Sequence, residues 1–125
     1  MNKPLKKDYD KDYKAFNRDY QRWYRKTYPD RSKGYDLKKY YGISFEEYTQ
    51  LQASQRGVCA ICGNIEKATR NYSSDKRNLA VDHSHTTGKI RGLLCTHCNQ
   101  GIGNFRENPE FLAKAISYLL KSNGP

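Results

Sequence analysis

The sequence has 125 residues, of which 36% are hydrophobic, and its 23 Lys and Arg against 13 Asp and Glu give a formal net charge of +10 at pH 7. A chain of this length normally forms one domain with a modest core, so a bound metal would add substantially to its stability. The charge favours polyanions, above all nucleic acid and also an anionic membrane surface, whereas the lack of any apolar run of roughly 18 residues argues against a membrane-spanning protein.

Residues 1–42 form a basic, aromatic-rich arm with 13 Lys and Arg against 6 Asp. Aromatic residues recur in it at spacings of four and three, which predicts one face of a helix that ends near Tyr28, because Pro29 disfavours helical geometry before it. Two compatible interpretations follow: the aromatic stripe packs on the domain or on a partner chain, and the basic face contacts DNA, with tyrosines available for stacking. The stripe consists of Tyr9, Tyr13, Phe16, Tyr20 and Trp23.

Two further helices and a loop follow the arm's first helix. Residues 35–41 predict a short helix that stops at Gly42, a usual residue just past a helix end. Ser44 and Glu47 have capping-box spacing, which predicts a helix from Phe45 to about residue 54 or 55. Residues 64–78 are polar and aperiodic, and we expect a loop there.

The region after residue 78 predicts a hairpin and two helices. A short apolar strand over 79–81 ends at Asp82 and His83, a turn follows at 86–88, and a second strand runs over 89–94. A helix then starts at the second cysteine pair, with Asn99 in its first turns. The last helix covers about 109–121, because Asn108 can cap it and Pro109 suits its first position. Its wide apolar stripe covers the hairpin or meets a second copy of the chain.

Four cysteines form two C-x2-C pairs, Cys59 with Cys62 and Cys95 with Cys98. The basic N-terminal stretch has no hydrophobic segment after it, so we expect no secretory signal, a cytoplasmic location and reduced thiols. Two such pairs supply the four soft ligands of a tetrahedral zinc site. We therefore favour a structural Zn²⁺ over two disulfide bonds.

A structural zinc site does not need the polar residues that accompany the cysteines: Asp82, His83 and His85 between the pairs, and Asn99 after the last. Phosphodiester hydrolysis needs an activated water and a positive centre, and Asp and Asn oxygens suit Mg²⁺ while a neutral imidazole is a competent base. Simpler explanations remain open. Asp82 can brace a turn and Asn99 can cap local backbone. His83 or His85 can replace a cysteine on zinc, although four cysteines already fill a tetrahedron.

The string VDHSHTTGKIRGLLCTHCNQGIG, preceded by RGVCAICG, resembles the phage recombination endonuclease VII family, a zinc-containing branch of the HNH or ββα-metal (His-Me finger) nucleases. The resemblance covers about residues 45–122. It implies an α+β fold in which a ββα-metal nuclease core is stapled by a four-cysteine zinc site, with a mainly helical N-terminal extension and a C-terminal helix. We accordingly divide the chain into the arm, 1–42, and a zinc-stabilised nuclease domain, 43–125.

The resemblance also implies a role for each site residue. The four cysteines match the structural zinc ligands, while Asp82 and Asn99 match the ligands of a catalytic Mg²⁺ or Mn²⁺. His83 matches the general base, and His85 contacts the phosphate or supports the site. The implied products carry 5′-phosphate and 3′-hydroxyl ends. One departure concerns metal binding, since some members carry an acidic residue three positions after the Asn, where this chain has Ile102.

The sequence thus predicts a metal-dependent DNA endonuclease of a bacterial or phage-infected cell, which nicks or resolves branched DNA and pairs as a homodimer if its last helix meets a second copy. One alternative is a non-catalytic zinc-knuckle DNA-binding module, which has no use for Asp82, His83 and Asn99 together. The other is a structural or interaction protein whose aromatic helix binds protein and which tolerates loss of all three.

Overall fold

A computed structural model describes residues 1–70 and 74–123, which divide into two compact units between Thr49 and Gln50. The described residues have an α+β fold of five α-helices, one short 3-10 helix and a two-stranded antiparallel sheet. None of these helices is long and apolar enough to cross a membrane. The division of the chain at residue 42 stays a prediction. The elements are the 3-10 helix Lys6–Tyr9, α1 (Tyr13–Thr27), α2 (Pro29–Tyr41), α3 (Phe45–Ser54), β1 (Ala80–His83), β2 (Ile90–Leu94), α4 (Thr96–Asn104) and α5 (Pro109–Asn123).

The first unit begins with two consecutive helices. Asp12 caps α1 by accepting from the N–H of Ala15 at 3.0 Å, and α1 ends just before Tyr28, as predicted. The predicted helix over 35–41 is too short, because α2 already starts at Pro29. Proline suits the first position of a helix, where no N–H is needed, so the residue that ends one helix also begins the next. Gly42 ends α2 in the left-handed conformation, with φ of 72°.

Six aromatic residues of the first unit, from Tyr9 to Tyr28, contact one another in a chain of rings. The predicted helical stripe begins with Tyr9, but Tyr9 lies in the 3-10 helix, because Asp10 and Lys11 adopt positive φ and interrupt the helix. Its ring still contacts Phe16, at 5.5 Å between centroids. The contacts continue along α1, and no residue of this helix is fully buried. The rings that follow Phe16 in this chain of contacts are Tyr20, Trp23, Tyr24 and Tyr28.

The start of α3 confirms the predicted capping box. Ser44 Oγ accepts from the N–H of Glu47, and Glu47 Oε2 accepts from the N–H of Ser44, both at 3.1 Å. The two bonds satisfy donors that the first turn of a helix otherwise leaves unpaired. Tyr48 on α3 is 1% exposed, and Lys33 Nζ lies 3.8 Å from the centre of its ring. With Leu37 and Ile43, Tyr48 forms the buried core of this unit.

The second unit is built on the β1–β2 hairpin. Val81 pairs with Leu93 and Asp82 pairs with Gly92, but the next pair joins His83 to Ile90. Arg91 is therefore an extra residue on β2, which is the definition of a β-bulge. β1 starts one residue later than the predicted strand, and it includes Asp82 and His83. The region before the hairpin is largely irregular as predicted, with one isolated bridge between Thr69 and Lys76, and residues 71–73 of it lie outside the described residues.

The side chain of Gln55 completes the outer edge of β2. Its Oε1 accepts from the N–H of Leu93, and its Nε2 donates to the carbonyl oxygens of Leu93 and Val58, each at 2.9 Å. The N–H of Ala60 donates to the same Leu93 carbonyl at 3.0 Å. A Cβ at Gly92 would lie 3.2 Å from Gln55 Oε1, so the absence of a side chain there leaves room for the amide. An edge that would otherwise leave backbone groups unpaired is thereby closed.

Candidate metal centre and candidate active site

The four cysteine sulfurs form a cluster in which each lies within 4.8 Å of the others. In a zinc tetrahedron with Zn–S bonds of about 2.3 Å, neighbouring sulfurs lie about 3.8 Å apart. Cys62 Sγ and Cys95 Sγ are separated by 3.8 Å, and all four cysteines are free thiols. The cluster therefore has the size and donor chemistry of a four-cysteine zinc site. Among the described His, Cys, Asp and Glu residues, no other group of three or more lies close enough to share one ion.

Local backbone geometry shapes both cysteine pairs. The first pair closes a turn in which the N–H of Gly63 donates to the carbonyl of Cys59 at 3.0 Å, and Gly63 has the positive φ of 70° that glycine adopts readily. The second pair lies where β2 meets α4, with Cys95 as the N-cap. Its sulfur accepts from the N–H of Cys98 at 3.4 Å. A strand end and a helix start therefore hold two ligands in place.

The thiols differ in how readily they ionise. Burial opposes ionisation of Cys59, but backbone N–H groups directed at its sulfur outweigh burial and lower its pKa to about 6. One of these groups is the N–H of Ile61, 3.4 Å from the sulfur. Burial and the neighbouring thiols raise the pKa of Cys98 to about 12. A thiolate at Cys59 disfavours a second one beside it, and a bound Zn²⁺ would remove this conflict by stabilising the charged form of every ligand.

Glu66, which the sequence did not single out, fastens the start of α4. Its Oε2 accepts from the N–H of Thr96 at 2.8 Å and from the Thr96 hydroxyl at 3.0 Å. Its Oε1 accepts from the N–H of Ala68 at 2.9 Å. The side chain is buried, and burial alone would raise the pKa of the carboxyl, yet these donors lower it below 4.5. A carboxylate at a helix N-terminus is also favoured by the helix dipole. Glu66 thus braces the helix that carries two cysteines.

Asp82, the predicted ligand of the catalytic metal, is paired with Arg91. Arg91 Nε lies 2.8 Å from one carboxylate oxygen, and Nη2 lies 2.9 Å from the other. The bulge explains this contact. In a regular ladder Arg91 would lie opposite His83, and cross-strand partners share a face of the sheet, so it would point away from Asp82. As the extra residue of the bulge, Arg91 is instead directed to the Asp82 carboxylate.

A second carboxylate, that of Glu107, joins this group from the segment after α4. Its Oε1 lies 3.1 Å from His85 Nε2 and 3.2 Å from Arg91 Nη2. Arg106 and Glu107 both have positive φ, and the N–H of Glu107 donates to the carbonyl of Ile102 at 2.8 Å. No sequence pattern indicated this contact, because Glu107 lies outside the predicted elements and far along the chain from His85.

The two predicted histidines lie beside each other at the end of β1. The ring centroids of His83 and His85 are 4.9 Å apart with an angle of 30° between the planes. Asn99 lies half-buried on α4, which is in contact with β1, the strand that carries Asp82 and His83. The structure therefore brings three of the four predicted catalytic residues together at one strand end, and places Asn99 on the helix that adjoins this strand.

The sequence profile of recombination endonuclease VII matches residues 34–121, which is most of the chain. The chain belongs to the recombination endonuclease VII family. It is also 44% identical over 81 residues to the Gene 59 protein of Mycobacterium phage L5, covering 64% of this chain and 45% of that protein. The Gene 59 protein of Mycobacterium phage D29 is 44% identical over 82 residues, which is 65% of this chain and 46% of that protein. The chain spans less than half the length of these two relatives.

Membership of the endonuclease VII family confirms the resemblance that the DHxH string and the cysteine pairs indicated. Every residue predicted for the zinc site and for catalysis lies within the matched range 34–121. Most of the basic arm lies before this range, so the family accounts for only the last part of it. No solved structure shows significant similarity to this member of the family.

Proposed function

We propose that this protein is a metal-dependent DNA endonuclease that hydrolyses phosphodiester bonds. The observation that carries the proposal is a connected group of polar side chains in a chain of the endonuclease VII family. Arg91 binds the almost buried carboxylate of Asp82 and also contacts Glu107. Glu107 in turn contacts His85, whose ring lies beside that of His83. Asp82 already faces a cation, the guanidinium of Arg91. The Asp82 carboxylate therefore has a positive partner, and its oxygens are the kind of ligand that a divalent metal ion such as Mg²⁺ prefers.

The thiol cluster is proposed to hold a structural Zn²⁺. Four cysteines leave no open position for water or substrate, which is the property that distinguishes structural from catalytic zinc. Its role is to fix the turn of Cys59 and Cys62 to the start of α4. We propose that the hairpin and α4 together form the ββα-metal core of an HNH-type nuclease. The zinc then holds in place the helix on which Asn99 lies.

Asp82 and Asn99 are proposed to hold a catalytic Mg²⁺ or Mn²⁺ through their side-chain oxygens. Such an ion, when bound, stabilises negative charge on the phosphate oxygens and on the leaving oxygen. His83 removes a proton from the attacking water as general base. His85 contacts the phosphate or orients its neighbours. The proposed products carry 5′-phosphate and 3′-hydroxyl ends.

DNA binding is proposed to rest on the excess positive charge, of which the larger part lies in residues 1–42. Exposed tyrosines of this arm, such as Tyr35 and Tyr40, are 67% and 65% exposed and are available for stacking. The last helix, α5, exposes Ile116, Leu119 and Leu120 by more than half. We propose that this surface pairs with a second copy, because two nuclease units in a symmetric dimer can cut both strands.

The experiment that tests the proposal is nicking of supercoiled plasmid by the zinc-loaded protein with Mg²⁺. We expect His83→Ala to lower the nicking rate by at least about a hundredfold, since a general base typically contributes that much. His97→Ala is the matched control, because His97 is an exposed histidine on α4. Nicking that survives in His83→Ala at the parent rate would contradict the mechanism.

One observation favours a second candidate, a non-catalytic zinc-knuckle DNA-binding module. Both oxygens of Asp82 are engaged by Arg91, which is also how a purely structural ion pair looks. A parent protein that binds DNA but never cuts it, with either Mg²⁺ or Mn²⁺, would support this module. Matched linear, nicked and branched oligonucleotides in the same assay would then identify the DNA shape that is bound or cut.

A further inference from the structure

Arg91 occupies the position at Asp82 where the proposed function requires a divalent cation. Its two nitrogens engage both carboxylate oxygens at 2.8 and 2.9 Å. The Asp82 side chain is only 9% exposed, and a buried carboxylate is costly without a positive partner. Arg91 thus acts as the counter-ion of Asp82. A divalent cation and the guanidinium would compete for the same oxygens and repel each other.

Loading the site therefore requires another partner for the guanidinium, and Glu107 lies within reach of it. Arg91 Nη2, the nitrogen bound to Asp82, is already 3.2 Å from Glu107 Oε1. The Arg91 side chain is 41% exposed, so it has room to move, whereas Glu107 is 22% exposed and held by its own backbone bond to Ile102. His85 Nε2 contacts the same Glu107 oxygen at 3.1 Å.

We propose that Glu107 is a positioning residue that takes Arg91 from Asp82 when the divalent cation binds. This inference rests on the proposed function. Glu107 acts through Arg91 and does not itself bind the cation. By accepting the guanidinium, it lowers the cost of freeing Asp82 and keeps Arg91 and His85 at the edge of the site.

The test measures binding of Mn²⁺ to the zinc-loaded protein without DNA, by electron paramagnetic resonance of the free ion. Thiolates select zinc over manganese, so the cysteine cluster does not interfere. We expect Glu107→Gln to weaken Mn²⁺ binding about tenfold, equivalent to about 1.4 kcal/mol, and Glu107→Asp to restore part of it. Arg91→Gln should tighten binding, because it removes the competing charge. Asp82→Asn serves as the reference in which binding at this site is lost.

The double variant Glu107→Gln with Arg91→Gln separates a positioning role from direct metal binding. If Glu107 acts through Arg91, the double variant should bind Mn²⁺ as tightly as Arg91→Gln alone. If Glu107 is a metal ligand or acts by its charge alone, the weakening will persist in the Arg91→Gln background, and the proposal is wrong. Glu46→Gln, which removes an exposed acidic group from α3, is the charge-matched control and should bind as the parent does.

The outcomes also separate this inference from the proposed function. A parent that neither binds Mn²⁺ at Asp82 nor nicks plasmid would defeat both. A parent that binds Mn²⁺ and nicks plasmid, while Glu107→Gln does both equally well, would overturn only the role of Glu107. Urea unfolding of each zinc-loaded variant identifies any that has lost its fold, and Glu107→Asp then replaces Glu107→Gln in the comparison.

Discussion

Replacing Gln55 by alanine removes a side chain that substitutes for a third strand beside β2. The change deletes three hydrogen bonds at once: two to the backbone of Leu93 and one to the carbonyl of Val58, all at 2.9 Å. Leu93 is 0% exposed, so water does not readily reach the groups left behind. Gln55 follows the last residue of α3, so helix propensity contributes little to the effect.

The expected loss of stability depends on which hydrogen-bond partners the backbone groups of Leu93 and Val58 retain after the substitution. The N–H of Leu93 loses the acceptor in Gln55, and a buried donor without a partner costs roughly 1–3 kcal/mol. The Leu93 carbonyl keeps its bond from Ala60 at 3.0 Å, and the half-buried Val58 lies closer to water. These two bonds together contribute about 1 kcal/mol. We therefore expect Gln55→Ala to lower the free energy of unfolding by about 2–4 kcal/mol.

Urea unfolding at a fixed excess of zinc measures this loss, because the metal adds to stability in a concentration-dependent way. Gln50→Ala is the matched control, since Gln50 is an exposed glutamine on α3. Its free energy of unfolding should stay within about 0.5 kcal/mol of the parent. If Gln55→Ala also stays within that range, the edge of β2 does not depend on this amide and the reasoning is refuted.

Three other predictions concern the same unit. Glu66→Gln should destabilise the protein at neutral pH, and its difference from the parent in free energy of unfolding should shrink as the pH falls below 4.5. The reason is that the pKa of Glu66 is lowered in the folded protein, so its carboxylate stabilises the fold above pH 4.5 and loses this effect as it protonates. Urea unfolding at several pH values measures the difference, and a difference that does not change with pH would contradict the prediction. Leu93→Ala should cost about 3–5 kcal/mol in the same assay, and a loss under about 1 kcal/mol would mean that the site collapses around the cavity. Chelation of zinc should unfold the second unit, measured by circular dichroism, and a spectrum unchanged by the chelator would argue against a structural metal.

The features that the sequence predicted well depend on neighbouring residues. The Ser44–Glu47 capping box, the Gly42 helix end and the Asn108 cap involve groups within four positions of each other. Each cysteine pair was equally recognisable, because its two thiols are only three positions apart, although Cys62 and Cys95, which meet in the cluster, are 33 positions apart. The start of α2 was missed because Pro29 was interpreted only as the end of a helix. Both effects come from the proline ring: its Cδ disfavours helical geometry in the preceding residue, and its fixed φ suits the first position of a helix.

The features that the sequence did not predict join residues far apart in the chain. Gln55 and Leu93 are 38 positions apart, and Glu66 and Thr96 are 30 apart. The contact between Arg91 and Asp82 depends on a bulge, which contradicts the simple alternation of strand side chains. Polar residues carry no periodic signal that indicates such partners. The residues of the proposed chemistry were recognisable by type, whereas those that support them became visible only through the fold.

The bulge at Arg91 also limits how the length of this hairpin can vary. Residues inserted in the turn that follows Ser84 would leave the pairing of β1 with β2 unchanged. We therefore expect the protein to tolerate changes in the length of this turn. Deleting Ile90 would restore a regular ladder and reverse the side on which Arg91 projects. Asp82 would then be left without a counter-charge, although every residue of the DHxH string would still be present. In natural or designed variants, the number of residues in β2 should therefore be as invariant as the identity of the catalytic residues.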